Sequence, residues 1–149
     1  MIEFTNLNQE VPYLIFKKKY DDAVNANQKN IEAISISSYS KKFKEVNARF
    51  VNLKFIIDKN FIFFSNYNSP KSHDFKEHNQ ITALVYWNST NTQIRMKAEI
   101  EKSSKEFNKN YFSKRSAQKN ALAISSNQSE PIDSYESVKE KHKKSLQGD

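Results

Sequence analysis

Residues 48–65 read Ala48-Arg49-Phe50-Val51-Asn52-Leu53-Lys54-Phe55-Ile56-Ile57-Asp58-Lys59-Asn60-Phe61-Ile62-Phe63-Phe64-Ser65. Side chains alternate between the two sides of a strand. The first ten residues therefore put Arg49, Val51, Leu53, Phe55 and Ile57 on one face and Phe50, Asn52, Lys54 and Ile56 on the other. Asp58-Lys59-Asn60 is a turn by composition. Phe61 to Ser65 has the continuous apolar character of a strand covered on both sides. Two successive strands, the second fully buried, place a sheet at the centre of the fold.

Upstream, Ile31 to Ser38 is a short β-compatible run, and the polar stretch Tyr39 to Glu45 reads as a turn without glycine, so a hairpin is expected. Before it, Tyr13, Phe16, Tyr20, Ala23 and Val24 recur at helical spacing, with Pro12 where a first helical turn tolerates it. Downstream, Ser69-Pro70 supplies an N-cap and a first-turn proline for a helix reaching about Asn79. Ile81 to Trp87 and Thr92 to Glu101 follow as strands around the polar turn Asn88 to Asn91. In the second, Ile94, Met96, Ala98 and Ile100 face inward and charged residues face out, as in an antiparallel sheet with one solvated side. Ser103-Ser104-Lys105-Glu106 has capping-box spacing, and Phe107 and Tyr111 share a face of the helix it starts. Further helices are expected over about 116–124 and 134–146. The order predicts an α+β fold whose mostly antiparallel sheet closes into a small barrel. Within one domain spanning 1–149, residues 1–27 form an N-terminal helical region, 31–101 the barrel strands and 103–149 a helical C-terminal part.

With 149 residues and 37% hydrophobic content, the chain can bury one sizeable core and no more. No run approaches the roughly 18 to 20 apolar residues of a bilayer span, and Met1-Ile2-Glu3-Phe4 lacks the basic and apolar regions of a signal peptide. A cytoplasmic protein without membrane contact is expected. There is no cysteine, which excludes disulfides, thiolate catalysis and thiol zinc sites. The only glycine, Gly148, leaves no Walker loop or dinucleotide fingerprint, so any phosphate must be held by side chains, helix N-termini or non-glycine backbone. Lys+Arg 24 against Asp+Glu 17 gives a net charge of +7, which opens a polyanion-binding reading. Most of the excess is lysine spread over polar faces, and nucleic acid is not the expected partner.

His73 and His78, five apart on a predicted helix, miss the i, i+4 spacing of a metal pair, and no metal site is expected. No serine sits in a nucleophile elbow. What does stand out is a set of cations on ordered elements: Arg49 and Lys54 on one strand, Lys71 in a first helical turn, and Arg115 and Lys119 after Tyr111. Cations beside a helix N-terminus suit phosphate, because backbone N–H groups and dipole add to side-chain charge.

At these residues the chain resembles the pyridoxine (pyridoxamine) 5′-phosphate oxidase family. Asn47-Ala48-Arg49-Phe50-Val51-Asn52-Leu53-Lys54 is similar to its Ser-x-Arg-x-Val-Leu-Leu-Lys strand. Phe61-Ile62-Phe63-Phe64-Ser65-Asn66-Tyr67-Asn68-Ser69-Pro70-Lys71 resembles its Phe-x-Phe-Tyr-Thr-Asn-Tyr-x-Ser-Arg-Lys. Ala83-Leu84-Val85-Tyr86-Trp87 and Gln93-Ile94-Arg95 match its Phe-x-Trp and Arg-Gln-Val-Arg strands. Tyr111-Phe112-Ser113-Lys114-Arg115 looks like Tyr-Phe-x-x-Arg-Pro, and Ser126-Asn127-Gln128-Ser129 like Ser-x-Gln-Ser. The blocks keep the family's order with compatible gaps from about residue 10 onward.

The resemblance implies a split β-barrel homodimer with FMN at the subunit interface. By it, Arg49 and Lys71 hold the FMN phosphate with help from Ser65, and Val51 and Phe64 belong to the same cofactor-binding blocks. Gln93 contacts the isoalloxazine, and Gln128 and Ser129 reach FMN across the dimer. Lys54, Tyr111, Arg115 and Lys119 match positions that bind a small phosphorylated vitamin B6 substrate. No side chain is catalytic in its own right, because the implied chemistry is the flavin's: a hydride equivalent leaves C4′ of pyridoxamine or pyridoxine phosphate, and the electrons pass to oxygen. Three departures accompany the match. Pro70 replaces an FMN-binding arginine and Lys119 replaces a substrate-binding serine. The sequence also ends at Asp149 where the family continues with a strand-rich segment carrying a tryptophan and an Arg-x-His motif. The expectation is therefore an FMN-dependent oxidase with weakened vitamin B6 oxidase activity. The alternatives are an FMN-binding split barrel with another redox substrate or a binding role only, and a basic polyanion-binding module.

Overall fold

A computed structural model of the chain describes residues 1–66, 70–103, 119–126 and 133–134. In chain order its elements are β1 (Glu3–Thr5), α1 (Val11–Asn25), β2 (Ala33–Ser40), β3 (Glu45–Ile57), β4 (Asn60–Asn66), α2 (Pro70–Glu77), β5 (Gln80–Trp87), β6 (Thr92–Lys102), β7 (Lys119–Ser126) and β8 (Asp133–Ser134). A 3-10 turn over Asn88–Thr90 joins β5 to β6. The strands pair in the order β3-β2-β5-β6-β7-β4, and β4 returns to β3, so six antiparallel strands close into a barrel with two helices. Closure removes free sheet edges, which are otherwise templates for unwanted pairing. β1 adds a short parallel pairing to the end of β3, at Phe55 to Ile57, beyond the residues that β2 covers.

Alternate residues of each strand fill the interior: Ile34 and Ile36, Val51 and Leu53, Phe61 and Phe63, Ile81 to Trp87 at every second position, Ile94 to Ile100 likewise, and Leu122 with Ile124. Helix α1 lies across one end. Its Tyr13, Phe16, Tyr20 and Ala23 are buried at the helical spacing read from the sequence. The Phe16 ring meets Phe61 at 5.1 Å and Trp87 at 5.6 Å, both edge-on, a geometry that aromatic quadrupoles favour. Helix α2 lies toward the other end, with Phe75 buried and His78, just past its last turn, edge-on to Tyr39 at 5.6 Å.

Three expectations need correction. First, the strict alternation through residues 48–57 breaks. The β3–β4 register pairs Leu53 with Phe63 but Phe55 with Ile62, so Lys54 is an extra, bulged residue. Beyond it the phase reverses: Ile56, not Phe55, is buried in the main core, while Phe55 and Ile57 pack on the outer face with Ile62, Phe64 and Ala123. Second, residues 119–126, within the part expected to be helical, form strand β7, which pairs with all of β4 and with the end of β6. Its alanines favour helix in isolation, but Leu122 and Ile124, two apart, reach the core only from a strand, and pairing overrides local propensity. Third, the N-terminal region contributes β1, and Asp133–Ser134 form β8 beside Ile94 and Arg95 rather than the start of a helix. The capping box with the Phe107 and Tyr111 helix, and the rest of the expected last helix, lie outside the described residues.

Turns without glycine have a direct solution here. Among the described residues, the left-handed positions are taken by Asn6, Asn27, Asn30, Lys44, Asp58 and Asn91. Asn and Asp tolerate this conformation better than other residues with a Cβ, because their short polar side chains bond locally to the backbone.

Candidate functional site

Arg49 stands on the inward phase of β3, directly across from Ile36 of β2. Its Nη1 donates to the Ile36 carbonyl at 3.2 Å and to Ser38 Oγ at 2.8 Å, and its guanidinium lies 5.6 Å from the centre of the Phe75 ring. Both hydrogen-bond partners are neutral, and no ion pair to Arg49 occurs among the described residues. Burial pulls its pKa below the ordinary arginine value, partly opposed by the charge of Asp74. The side chain stays ionised regardless, since an arginine begins so far above neutrality. The result is a half-buried cation, fixed at one nitrogen, with further donors of its planar fork available to a bidentate anion.

Ser65 is on the inward phase of β4 and only 4% exposed, and its Oγ has no hydrogen-bond partner among the described residues. Leaving a buried hydroxyl unsatisfied costs on the order of 1–3 kcal/mol, so this group is one that a ligand oxygen or a water would satisfy. The β3–β4 ladder ends at the Leu53–Phe63 pair, and Val51 and Ser65 each lie two residues beyond it, toward the same end of the barrel. On the other side β7 sets Asn120 opposite Ser65 and Lys119 opposite Asn66. Helix α2 begins at Pro70, with Lys71 in its first turn; the Lys71 side chain lies outside the described residues. Arg49, Ser65 and the start of α2 thus belong to the same half of the barrel. A half-buried cation with no ion pair, and a buried hydroxyl with no partner, among the described residues suit a phosphate group.

The remaining predicted residues divide. Val51 is buried and can offer only backbone to a ligand. Phe64 sits on the outer face, its ring edge-on to Phe55 at 6.1 Å. Gln93 is half-buried on the outward phase of β6, opposite Tyr86. Since β6 is three strands round the ring from β3, one chain does not bring Gln93 to Arg49. Lys54 occupies the bulge, its Nζ 3.4 Å from Glu32 Oε1, and is likewise remote from Arg49 along the strand. Lys119 and Lys54 are not neighbours either, because Lys119 is level with Asn66 while Lys54 is level with Phe63 and Ile62. Tyr111, Arg115, Gln128 and Ser129 lie outside the described residues. Two participants were not legible in sequence: Ser38, which anchors Arg49, and Glu32, which meets Lys54. Both become neighbours only through the β2–β3 pairing, and no local motif marks them.

A further surface bears on assembly. Phe43, Val46, Phe50 and Tyr86 are 65%, 68%, 74% and 60% exposed, and the last two belong to outward rows of β3 and β5 that are separated by the small residues of β2. Among the described residues no helix is long and apolar enough to cross a membrane.

Comparison with known proteins gives a consistent picture. Residues 20–144 match the family model described as pyridoxamine 5′-phosphate oxidase. The chain is 33% identical over 130 residues to a pyridoxine/pyridoxamine 5′-phosphate oxidase of Colwellia psychrerythraea, covering 87% of this chain and 59% of that protein. It is 32% identical over 121 residues to the chloroplastic pyridoxine/pyridoxamine 5′-phosphate oxidase 1 of Arabidopsis thaliana, covering 81% of this chain and 23% of that one. The chain therefore spans well under two thirds of these relatives. Among solved structures, PhzG from Burkholderia lata in complex with tetrahydrophenazine-1-carboxylic acid superposes with a TM-score of 0.70 at 15% identity, covering 77% of this chain and 76% of that one. A pyridoxamine 5′-phosphate oxidase-related, FMN binding protein of Nostoc punctiforme gives 0.61 at 10% identity, covering 80% and 82%. These two show the same split-barrel fold.

Proposed function

The chain belongs to the pyridoxamine 5′-phosphate oxidase family, and from that premise we propose that it is a cytoplasmic FMN-dependent oxidase acting on a vitamin B6 5′-phosphate as a homodimer. The family typically binds FMN. The observation that carries the reading to this chain is the pair formed by Arg49, a half-buried cation with neutral partners, and Ser65, whose buried Oγ has none among the described residues. Arg49, Ser65 and Lys71 would hold the FMN phosphate. Gln93 would meet the ring system, with Gln128 and Ser129 reaching it from the second copy, and Val51 and Phe64 lining the same blocks. Lys54, Tyr111, Arg115 and Lys119 would bind the phosphorylated substrate. When bound, FMN supplies two-electron chemistry, taking a hydride equivalent from C4′ of the substrate and returning electrons to oxygen. The chain itself contributes binding, orientation and charge.

A shared site accounts for the separation of Arg49 from Gln93, since residues remote within one barrel can converge across two. The exposed Phe50 and Tyr86 supply apolar area for such a pairing. Phe50→Lys is expected to convert a dimer to a monomer in light scattering and to lower flavin content with it, leaving the melting temperature of the barrel within a few degrees, because exposed substitutions change stability little.

Ser65→Ala separates a ligand role from a packing role. Removing an orphaned hydroxyl is expected to leave the flavin-free protein as stable as before, or slightly more so, while FMN affinity falls about fivefold, the equivalent of one hydrogen bond of about 1 kcal/mol. Thermal melts with and without FMN read both quantities. Oxygen consumption with pyridoxamine 5′-phosphate tests the activity directly: turnover supports the oxidase reading. Flavin binding without turnover would favour another redox substrate, as the ligand of the B. lata structure illustrates for this fold. A colourless protein whose polyanion binding weakens steeply with salt would favour the basic-module reading.

A further inference from the structure

Lys54 is held by a carboxylate whose own position is locked. Glu32 directly precedes β2, and its carbonyl accepts the Leu53 N–H at 2.8 Å, next to the bulge. One residue earlier, the Ile31 carbonyl accepts the buried Trp87 indole N–H at 3.1 Å. Two successive carbonyls immediately before β2 are therefore tied to the barrel, and the Glu32 side chain is delivered to the bulged lysine by backbone geometry. Its Oε1 lies 3.4 Å from Lys54 Nζ, and its Oε2 accepts from the Met1 amino group. The Glu32 carboxyl is held below its ordinary range, chiefly by that amino hydrogen bond and further by the charge of Lys54, against the opposing effect of burial. It is thus ionised at neutral pH.

We infer that Glu32 is a specificity-determining positioning residue that competes with ligand phosphate for Lys54, so that the substrate site holds its phosphate less tightly than the same site without that carboxylate would. The inference rests on the proposed role of Lys54 as a substrate-phosphate ligand. A phosphate dianion reaching Lys54 meets a carboxylate already seated on the same ammonium. It must either share the lysine with a like charge or displace an ion pair, and the repulsion is felt across a partly shielded region, with Lys54 40% and Glu32 22% exposed. A ligand without phosphate escapes that penalty.

The test compares pyridoxamine 5′-phosphate with unphosphorylated pyridoxamine, titrated calorimetrically into the full FMN-treated chain. Glu32→Gln keeps the side-chain shape and removes the charge. It is expected to tighten the phosphorylated ligand about fivefold and leave the unphosphorylated one unchanged, the scale of one partly exposed ion pair. Glu32→Asp, which keeps the charge and shortens its reach, is expected to give an intermediate ratio and guards against a folding artefact in the glutamine variant. In a Lys54→Met background the Glu32→Gln gain should vanish. An unchanged or reduced ratio in Glu32→Gln, a gain that survives Lys54→Met, or no binding of the phosphorylated ligand by any of the proteins would overturn the inference. Flavin content is read on the same samples. A shifted ratio in flavin-free protein would contradict the FMN reading while supporting the role of Glu32, and flavin-loaded protein with no shift would do the reverse.

Discussion

Arg49→Ala is expected to yield a protein that folds but does not retain FMN, with the dissociation constant raised by a hundredfold or more. The magnitude follows from the contacts at stake. A bidentate guanidinium–phosphate pair is two charge-assisted hydrogen bonds, each worth about 1.5–3 kcal/mol, and each 1.4 kcal/mol is a factor of ten in affinity. The folded barrel should tolerate the loss, because among the described residues Arg49 hydrogen-bonds only to the Ile36 carbonyl and the Ser38 hydroxyl, and its burial disfavours its charge. Arg49→Lys restores the charge without the fork and is expected to recover only part of the affinity. Quenching of flavin fluorescence reads the affinity and a thermal melt of the flavin-free protein reads the fold. If Arg49→Ala bound FMN as tightly as the parent, Arg49 would be a structural residue and the phosphate would lie elsewhere.

The second large effect concerns stability. Trp87 is among the most completely buried side chains, packs edge-on against Phe16 and Tyr20 at 5.6 and 5.9 Å, and donates its indole N–H to the Ile31 carbonyl. Trp87→Ala is expected to cost about 3–5 kcal/mol, as large-to-small changes in a packed core do. For a chain of this length that lowers the melting temperature by roughly 10 °C or more. Trp87→Phe keeps a ring but strands the Ile31 carbonyl, and should cost about 1–3 kcal/mol. Because Ile31 adjoins Glu32, the phenylalanine variant should also loosen the contact between Glu32 and Lys54. Melting curves of both variants check the order; equal stability of Trp87→Ala and the parent would mean that α1 does not seal the barrel through this cluster.

How much of this was readable beforehand depends on whether the cause is local. The inward row Ile94, Met96, Ala98 and Ile100 was plain, because period-2 burial needs no information beyond the strand itself, and these residues are buried as expected. The helix carrying Tyr13, Phe16 and Tyr20 was equally plain. The bulge at Lys54 was not, since unbroken alternation through residues 48–57 looked self-consistent and only the register against β4 inserts the extra residue. β7 was hidden for a related reason. Ala121-Leu122-Ala123-Ile124 suits either periodicity, and the open edges of β4 and β6 decide it. For the candidate site, motif blocks single out Arg49, Ser65 and Lys71, and the structure adds the neutral partners of Arg49 and the orphaned hydroxyl of Ser65. The pairing of Glu32 with Lys54, 22 residues apart, follows from chain pairing and carries no sequence mark.

The central claim is that the basic groups of two barrels form a flavin nucleotide site, and its most direct test is titration of the unaltered full chain with FMN, followed by flavin fluorescence and sedimentation together. The account predicts saturable quenching that ends at one flavin per chain on a dimer. Undiminished fluorescence of free FMN at excess protein, or binding by a species that sediments as a monomer, would contradict it.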